Sequence, residues 1–458
     1  MGVKLASLAW PKFPDVDLSA GAQRDTALDV VRSWSLLVVV FGHFIMQITY
    51  WDDGGIPHGG NTLASGSPWP FVTWILQVMP LFFIAGGAVN RGSYERFTGP
   101  YQSWLWQRVR RLLKPTLVFI LVMSLVFSVV TILVPQRITY PLVPGITGPL
   151  WFLSVYILVT AFTPVSVLLW NNIGKGSILV LTFLVGFFDF LRLNIFEPFG
   201  ILNLFIAWVL VHQLGFWYQE GVSRKSAWAL VSVGFSTNLI LTQILNWYPT
   251  SLVGIANEEF SNMAPPTIVL VMHSLVLFGA FALLADRLRQ WVSRKRPARA
   301  TAIAGMLAMT IYLWHMSVLV LWLVLLHTFN LDLPVRLDGN LVVPDGYAYW
   351  LWLVPSTFGF AVLLYLLVRY LWPLEFMKIA WFDADRTTEE NSKSKTILGS
   401  IALSVGILGV SGAGFSGFPL AVHTGFGIPL NAPIAIFVLI FGLLILRPSS
   451  ERVGSGVK

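Results

Sequence analysis

The sequence predicts an all-α polytopic membrane protein, a ten-helix core followed by a C-terminal two-helix hairpin. Three observations carry that prediction. Of 458 residues, 56% are hydrophobic and only 11% charged, far from the balance of a water-soluble domain. Apolar runs of about 20 residues, the length a helix needs to cross a hydrocarbon core, recur along the whole chain. With twelve spans placed, all of the 30 Lys and Arg except Arg137, Arg192 and Arg336 fall on one side. That asymmetry satisfies the positive-inside rule for a plasma-membrane protein of bacterial type with both termini in the cytoplasm.

Taken in order, residues 1–29 carry four acidic residues and lack a short apolar core or a small-residue cleavage site, so they read as a cytoplasmic tail. A core over 30–372 follows, with spans near 30–50, 70–90, 115–134, 150–170, 177–193, 200–219, 228–246, 266–285, 301–327 and 349–371. Connections 51–69, 247–265 and 328–348 are rich in Gly, Pro and Asn and read as irregular caps on the outer face. Inner connections 91–114 and 286–300 are basic. Residues 373–395 are polar and mixed in charge, a cytoplasmic linker. Residues 396–458 hold spans 396–412 and 432–446, rich in Gly, Ala and Ser with no ionisable group inside them. This hairpin reads as a packing element or a dock for an envelope-assembly partner.

Several functions are excluded at this level. The net charge of +8 is spent on orientation in the bilayer, not on nucleic acid. Without cysteine there is no disulfide, no thiolate metal site and no cysteinyl intermediate. No His-x-x-x-His pair or Asp-rich loop suggests a metal, and there is no phosphate loop, dinucleotide fingerprint or Gly-x-Ser-x-Gly elbow. No tightly bound cofactor is expected.

Polar residues at membrane depth are the informative ones, because an ionisable group there is costly unless it pairs or lines a cavity. Arg32 and His43 are eleven residues apart on the first span, three helical turns, so they share a face about 16 Å apart along the axis. Outgoing span nine puts His315 near the depth of His43, as incoming span eight does His273. Asp189 and Arg192, three apart on span five, are spaced to pair on one helix face. A lone His in a span is usually a hydrogen-bonded helix contact, the reading preferred for His273 and His212. The basic run Arg108, Arg110, Arg111 and Lys114 before Pro115 is a second supply of cations, which topology alone explains as well as phosphate binding does.

Arg32-x10-His43 resembles the Arg/Lys-x10-His motif of the acyltransferase 3 family of integral membrane proteins. Supporting segments stand in order: LFFIAGG at 81–87, RVRRLLKP at 108–115, GPLWFLSVYILV at 148–159 and IYLWHM at 311–316. LFFIAGG departs from the family at Ala-Gly-Gly, and the terminal helix pair lies outside its usual core. The resemblance implies transfer of an acyl group, often acetyl, from cytoplasmic acyl-coenzyme A to a hydroxyl of an envelope glycan or glycolipid. His43 would be the general base, Arg32, Arg108 and Arg111 the grip on the coenzyme's phosphates. His315 or the Trp151 indole would stabilise the oxyanion, with Asp189, Arg192 and His273 as further supporting candidates. The competing reading is a proton-coupled transporter or lipid flippase relaying protons through the same His, Asp and Arg cluster.

Overall fold

A chain in lipid must satisfy its backbone hydrogen bonds internally, which leaves helices as the economical solution for long apolar runs. The computed structural model describes residues 25–65, 69–254, 260–377, 379–383, 393–415, 423–425 and 428–448, and is mainly helical. Among these, eleven helical stretches are long and apolar enough to cross a membrane, and Ala432–Leu446 is a shorter apolar helix. Each of the twelve expected spans has a counterpart. The protein is an all-α polytopic membrane protein.

Helix α1 spans Thr26–Met46, capped by the Asp25 carboxylate accepting from the Ala27 N–H. A short helix, Trp69–Leu76, breaks before α2, Met79–Glu95. Helix α3 runs Tyr101–Leu133 with Pro115 inside it. It starts fourteen residues before the expected span because the basic segment 101–114 is a continuous helical foot. Helix α4, Leu150–Ala161, stops at Phe162, and Pro164 opens a separate α5, Thr163–Ile173. The expected span 150–170 is therefore two helices. Helices α6 (Gly176–Asn194), α7 (Asn203–Glu220), α8 (Arg224–Leu239) and α9 (Ile268–Val292) follow. The expected span 301–327 is also divided: α10 covers Lys295–Met306, and after a break at Leu307 α11 crosses as Ala308–Thr328. Helix α12 is Gly346–Phe376, and the terminal pair is α13, Lys393–Ala413, and α14, Ala432–Leu446.

Two connections expected to be irregular contain strands instead. Strands β1 (Gln47–Trp51) and β2 (Pro57–Asn61) pair antiparallel with Gln47 opposite Asn61. Strands β3 (Val335–Asp338) and β4 (Leu341–Pro344) pair with Val335 opposite Pro344. The two hairpins abut where Gly60 meets Val342 so closely that a Cβ at 60 would stand 2.5 Å from the Val342 Cβ. Trp51 lies parallel to His327 at 4.1 Å and Trp69 to Trp350 at 4.5 Å, tying this cap to the bundle. We call this the hairpin end, and the end where Arg32 begins its helix the basic end.

Burial divides the bundle into two packed groups. One joins the upper part of α1 to α3, α11, α12, α13 and α14. The other joins the lower part of α1 to α2, α6, α7 and α9. Helix α4 serves both, offering Leu150, Leu153 and Ile157 to the first and Val155 and Val159 to the second. In the second group α2 and α7 nearly touch: a Cβ on Gly87 would lie 1.8 Å from the His212 carbonyl oxygen. Only small residues allow such an approach.

The terminal pair shares the first core. Leu403, Ile407 and Val410 of α13 are fully buried in it. Ser154 donates to the Ser404 carbonyl at 2.7 Å, Thr147 to that of Ser411 at 3.0 Å, and Ser411 to that of Gly148 at 2.6 Å. Helix α13 thus braces the back of α4. Leu121, Leu125 and Ile132 of α3 and Leu351, Val354 and Phe358 of α12 point outward, a belt suited to lipid. The tail 1–29 lies outside the described residues as far as 24, as do 378 and 384–392 of the 373–395 linker.

Candidate active site

The seam between the two groups holds a cavity of about 230 Å³, lined by α1, α2, α3, α4 and α11 with the end of α10. Its chemistry changes with depth. Arg32, Arg108 and Arg111 stand at the basic end, Arg32 and Arg111 exposed there, with Asn90 and Thr160 on the facing helices. Tyr156 and Leu36 line the middle. Val39, Phe82, Phe152 and Tyr312 close the deep end. Phe82 meets Phe152 edge to face at 5.6 Å, and Phe152 meets Tyr312 likewise at 5.6 Å. The Tyr312 hydroxyl donates to the Pro149 carbonyl, which fixes that ring. Arg32, Leu36 and Val39 fall on one face of α1 at helical spacing, and His43 is the next residue on it.

His43 sits in the last turn of α1, where its carbonyl accepts the Gln47 N–H as the chain turns into β1. Its Nδ1 is 2.8 Å from Nε2 of His315 on α11. The rings lie within 6° of coplanar with centroids 5.1 Å apart, which is the nitrogen contact plus one ring radius on each side. The two nitrogens therefore point at each other within a shared plane, good geometry for a strong hydrogen bond. The other nitrogen of His315, Nδ1, lies 2.7 Å from the Tyr312 carbonyl and 3.2 Å from that of Ile311. His315 is fully buried, whereas His43 keeps part of its surface accessible.

The other predicted residues stand elsewhere. His273 donates from Nε2 to the Gln77 carbonyl at 3.1 Å, closing the backbone break before α2. Asp189 accepts from the Ile268 N–H at 2.6 Å, from Asn203 at 3.0 Å and from the Tyr248 hydroxyl at 3.3 Å. Burial first, and Asp189 second, push the Tyr248 phenol upward, so it stays a donor. Arg192 shares a helix with Asp189 but reaches the Pro265 carbonyl at 3.4 Å and covers the Phe260 ring. Trp151 turns from the cavity toward Trp208, 6.0 Å away, while its neighbour Phe152 faces in. Of the basic run on α3, Arg108 and Arg111 line the cavity; Arg110 and Lys114 do not.

Comparison with known families settles the class of protein. The family described as an acyltransferase domain, acyltransferase 3, matches residues 25–340, more than half of the chain. The chain belongs to the acyltransferase 3 family. No curated protein and no solved structure matches it. This acyltransferase is a multi-pass membrane enzyme, and the matched stretch contains His43, His315 and every residue lining the cavity. Helices α12, α13 and α14 lie beyond it.

Sequence reasoning missed Asn90, Thr160 and Tyr156 in the cavity wall. Asn90 donates to Thr160 and bonds His212 Nε2, both at 3.2 Å, so His212 is tied to the cavity through it. The available signal was that Asn90 is an amide within an otherwise apolar helix end, AGGAVN, where burial requires partners. Phe82, Phe152 and Tyr312 lay inside quoted family segments, yet nothing in a one-dimensional pattern marks three rings from three helices as neighbours.

Proposed function

We propose that this acyltransferase moves a short acyl group, acetyl in the first instance, from acyl-coenzyme A to a hydroxyl of a cell-envelope glycan or glycolipid. The carrying observation is the cavity's gradient, from three guanidinium groups through an amide and hydroxyls to an aromatic end one helical turn below His43. A donor with an anionic head, an amide-bearing arm and a small apolar acyl end matches that order. Guanidinium forks hold phosphate by paired, charge-assisted hydrogen bonds. In the proposed orientation the basic end faces the cytoplasm, where the coenzyme is made, and both termini lie there too.

Arg32 and His43 are about 16 Å apart along α1, a distance for an extended thiol-ended arm to bridge. With the phosphates gripped at one end, the thioester is delivered toward the imidazole, and the acceptor hydroxyl arrives from the hairpin end. His43 removes the hydroxyl proton as oxygen attacks the thioester carbon, a general-base role worth about 10²–10⁴-fold in rate.

The test is transfer of labelled acetyl from acetyl-coenzyme A to envelope lipids and glycans by the purified protein in nanodiscs. His43→Ala should lose at least about 10²-fold of the rate while binding coenzyme A as the wild type does. Unchanged transfer by His43→Ala would sink the reading. So would lipid flipping or uptake by the wild type that needs no acyl-coenzyme A.

A further inference from the structure

We infer that His315 is a positioning residue that locks His43 in one tautomer, and that acyl transfer in this enzyme is therefore direct, with one nitrogen of His43 handling the proton in both directions. The inference rests on the reading of His43 as the base. Its evidence is the hydrogen-bond chain from α11 to α1.

The chain begins at two backbone carbonyls. Ile311 and Tyr312 offer only lone pairs to His315 Nδ1, at 3.2 and 2.7 Å, so that nitrogen must carry a hydrogen. In a neutral imidazole the other nitrogen, Nε2, is then an acceptor. His43 Nδ1, 2.8 Å away in the same plane, must supply the hydrogen. That leaves His43 Nε2 with its lone pair, and among the described residues no hydrogen bond is made to it. The reverse arrangement would set a lone pair of His315 against two carbonyl oxygens inside a fully buried site. Orientation is fixed as well as tautomer, because His315 is held to its own helix at the i−3 and i−4 carbonyls.

Two consequences follow for the chemistry. First, the imidazolium formed when Nε2 gains a proton still donates from Nδ1 to His315, and that bond becomes charge-assisted, which roughly doubles its strength. His315 so does for His43 what a buried carboxylate does in a hydrolase triad, without adding a charge to an apolar bundle. This replaces the oxyanion role expected for His315, since its Nε2 is engaged as an acceptor and its Nδ1 hydrogen is spent on carbonyls.

Second, the proton has no way out through His315. Its Nδ1 hydrogen ends on two peptide carbonyls, which cannot pass it on. The proton that His43 Nε2 takes from the acceptor hydroxyl must leave through the same Nε2. The balanced step forms the bond between acceptor oxygen and acyl carbon and breaks the bond between that carbon and the coenzyme's sulfur. The proton passes from hydroxyl to Nε2 and from Nε2 to the departing thiolate, yielding ester and free thiol. Donor and acceptor are both bound when this happens, with no acyl group parked on His43.

The experiment pairs two variants with a trapping measurement on the wild type. His315→Phe keeps a ring but no acceptor, and should lower kcat about 10²-fold with KM for acyl-coenzyme A and affinity for coenzyme A within about threefold of wild type. His315→Gln restores an acceptor oxygen and should recover about tenfold of that loss. Labelled acetyl-coenzyme A mixed with wild type and quenched without acceptor should leave no label on the protein. Equal activity in His315→Phe and wild type, or His315→Gln no better than His315→Phe, would overturn the positioning role. Covalent label on wild type that His43→Ala abolishes would overturn direct transfer even if the variants do not fold. An inactive His43→Ala beside a fully active His315→Phe defeats this inference alone, whereas an active His43→Ala defeats the functional reading with it.

Discussion

Two polar clusters sit inside this apolar bundle, and they have spent their hydrogen-bonding capacity differently. Around Asp189, a backbone N–H, an amide and a phenol converge on one carboxylate and tie α6, α7 and the loop before α9 together. At His43 and His315 the chain of bonds runs one way, from two carbonyls through two imidazoles, and stops one nitrogen short. A cluster that saturates itself supports the fold. One that leaves a directed lone pair above a cavity is equipped to react. Both contain ionisable groups at membrane depth, so the presence of such groups did not distinguish them; the unspent atom does.

The sharpest way to test this contrast is to delete each anchor and compare stability with turnover. For His43→Ala the loss should fall on turnover by about 10²–10⁴-fold, with the melting temperature in detergent nearly unchanged. For Asp189→Ala the opposite is expected. Removing it leaves the part-buried Ile268 N–H without its acceptor, which costs about 1–3 kcal/mol for an unpaired donor, and reduces the Asn203 amide to its bond with the Val185 carbonyl. The protein that remains folded should keep wild-type turnover. Asp189→Asn, which retains an acceptor oxygen, should lie between. If Asp189→Ala melts like wild type but loses kcat, the assignment of the two clusters is reversed.

Much of this contrast could not be seen in one dimension, and the reasons are physical. The fold class and the approximate spans were legible because a hydrocarbon core demands apolar runs of a set length. The phase of Arg32 and His43 was legible because both lie on one helix. His315 could be placed at the right depth, but its direction depends on how α11 is rotated, and the break at Leu307 sets that. Asp189 and Arg192 were spaced to pair, yet their strongest partners come from loops and helix ends that periodicity does not place. The two hairpins, and the burial of α13 against α4, are long-range pairings of the same kind.

A smaller effect separates the mouth of the cavity from its deep end. Replacing Arg108 or Arg111 by Ala removes one guanidinium of the proposed phosphate grip without touching the imidazole pair. KM for acyl-coenzyme A should rise about tenfold, equivalent to about 1.4 kcal/mol, with kcat held within about twofold. The affinity lost should also shrink as ionic strength rises, because exposed charges are screened. A fall in kcat at constant KM would move these arginines from the grip to the chemistry.

The smallest effect concerns what holds the basic end of α1 in register. Asp25 caps that helix and is bound by Arg289 at 2.9 Å and by the Tyr218 hydroxyl at 2.7 Å. Burial raises the Asp25 carboxyl, but its hydrogen bonds with Arg289 and Tyr218 more than offset this, so it lies below its ordinary 3.8. A depressed carboxylate contributes stability that is complete above 3.8 and is lost as pH falls through its lower folded value. Asn can still cap the helix through Oδ1 and turn its Nδ2 to donate to the Tyr218 hydroxyl, so Asp25→Asn removes the charge and the second acceptor that Arg289 uses while keeping the cap. Because Arg289 is substantially exposed, that pairing is worth under about 1 kcal/mol. Melting curves should therefore separate wild type from Asp25→Asn slightly at pH 7 and bring them together once pH falls below the lowered folded value. A gap that persists in acid well below 3.8 would mean the variant has disturbed the cap itself. In that case Arg32 would lose its register with the cavity, and KM for the donor would rise along with the lost stability.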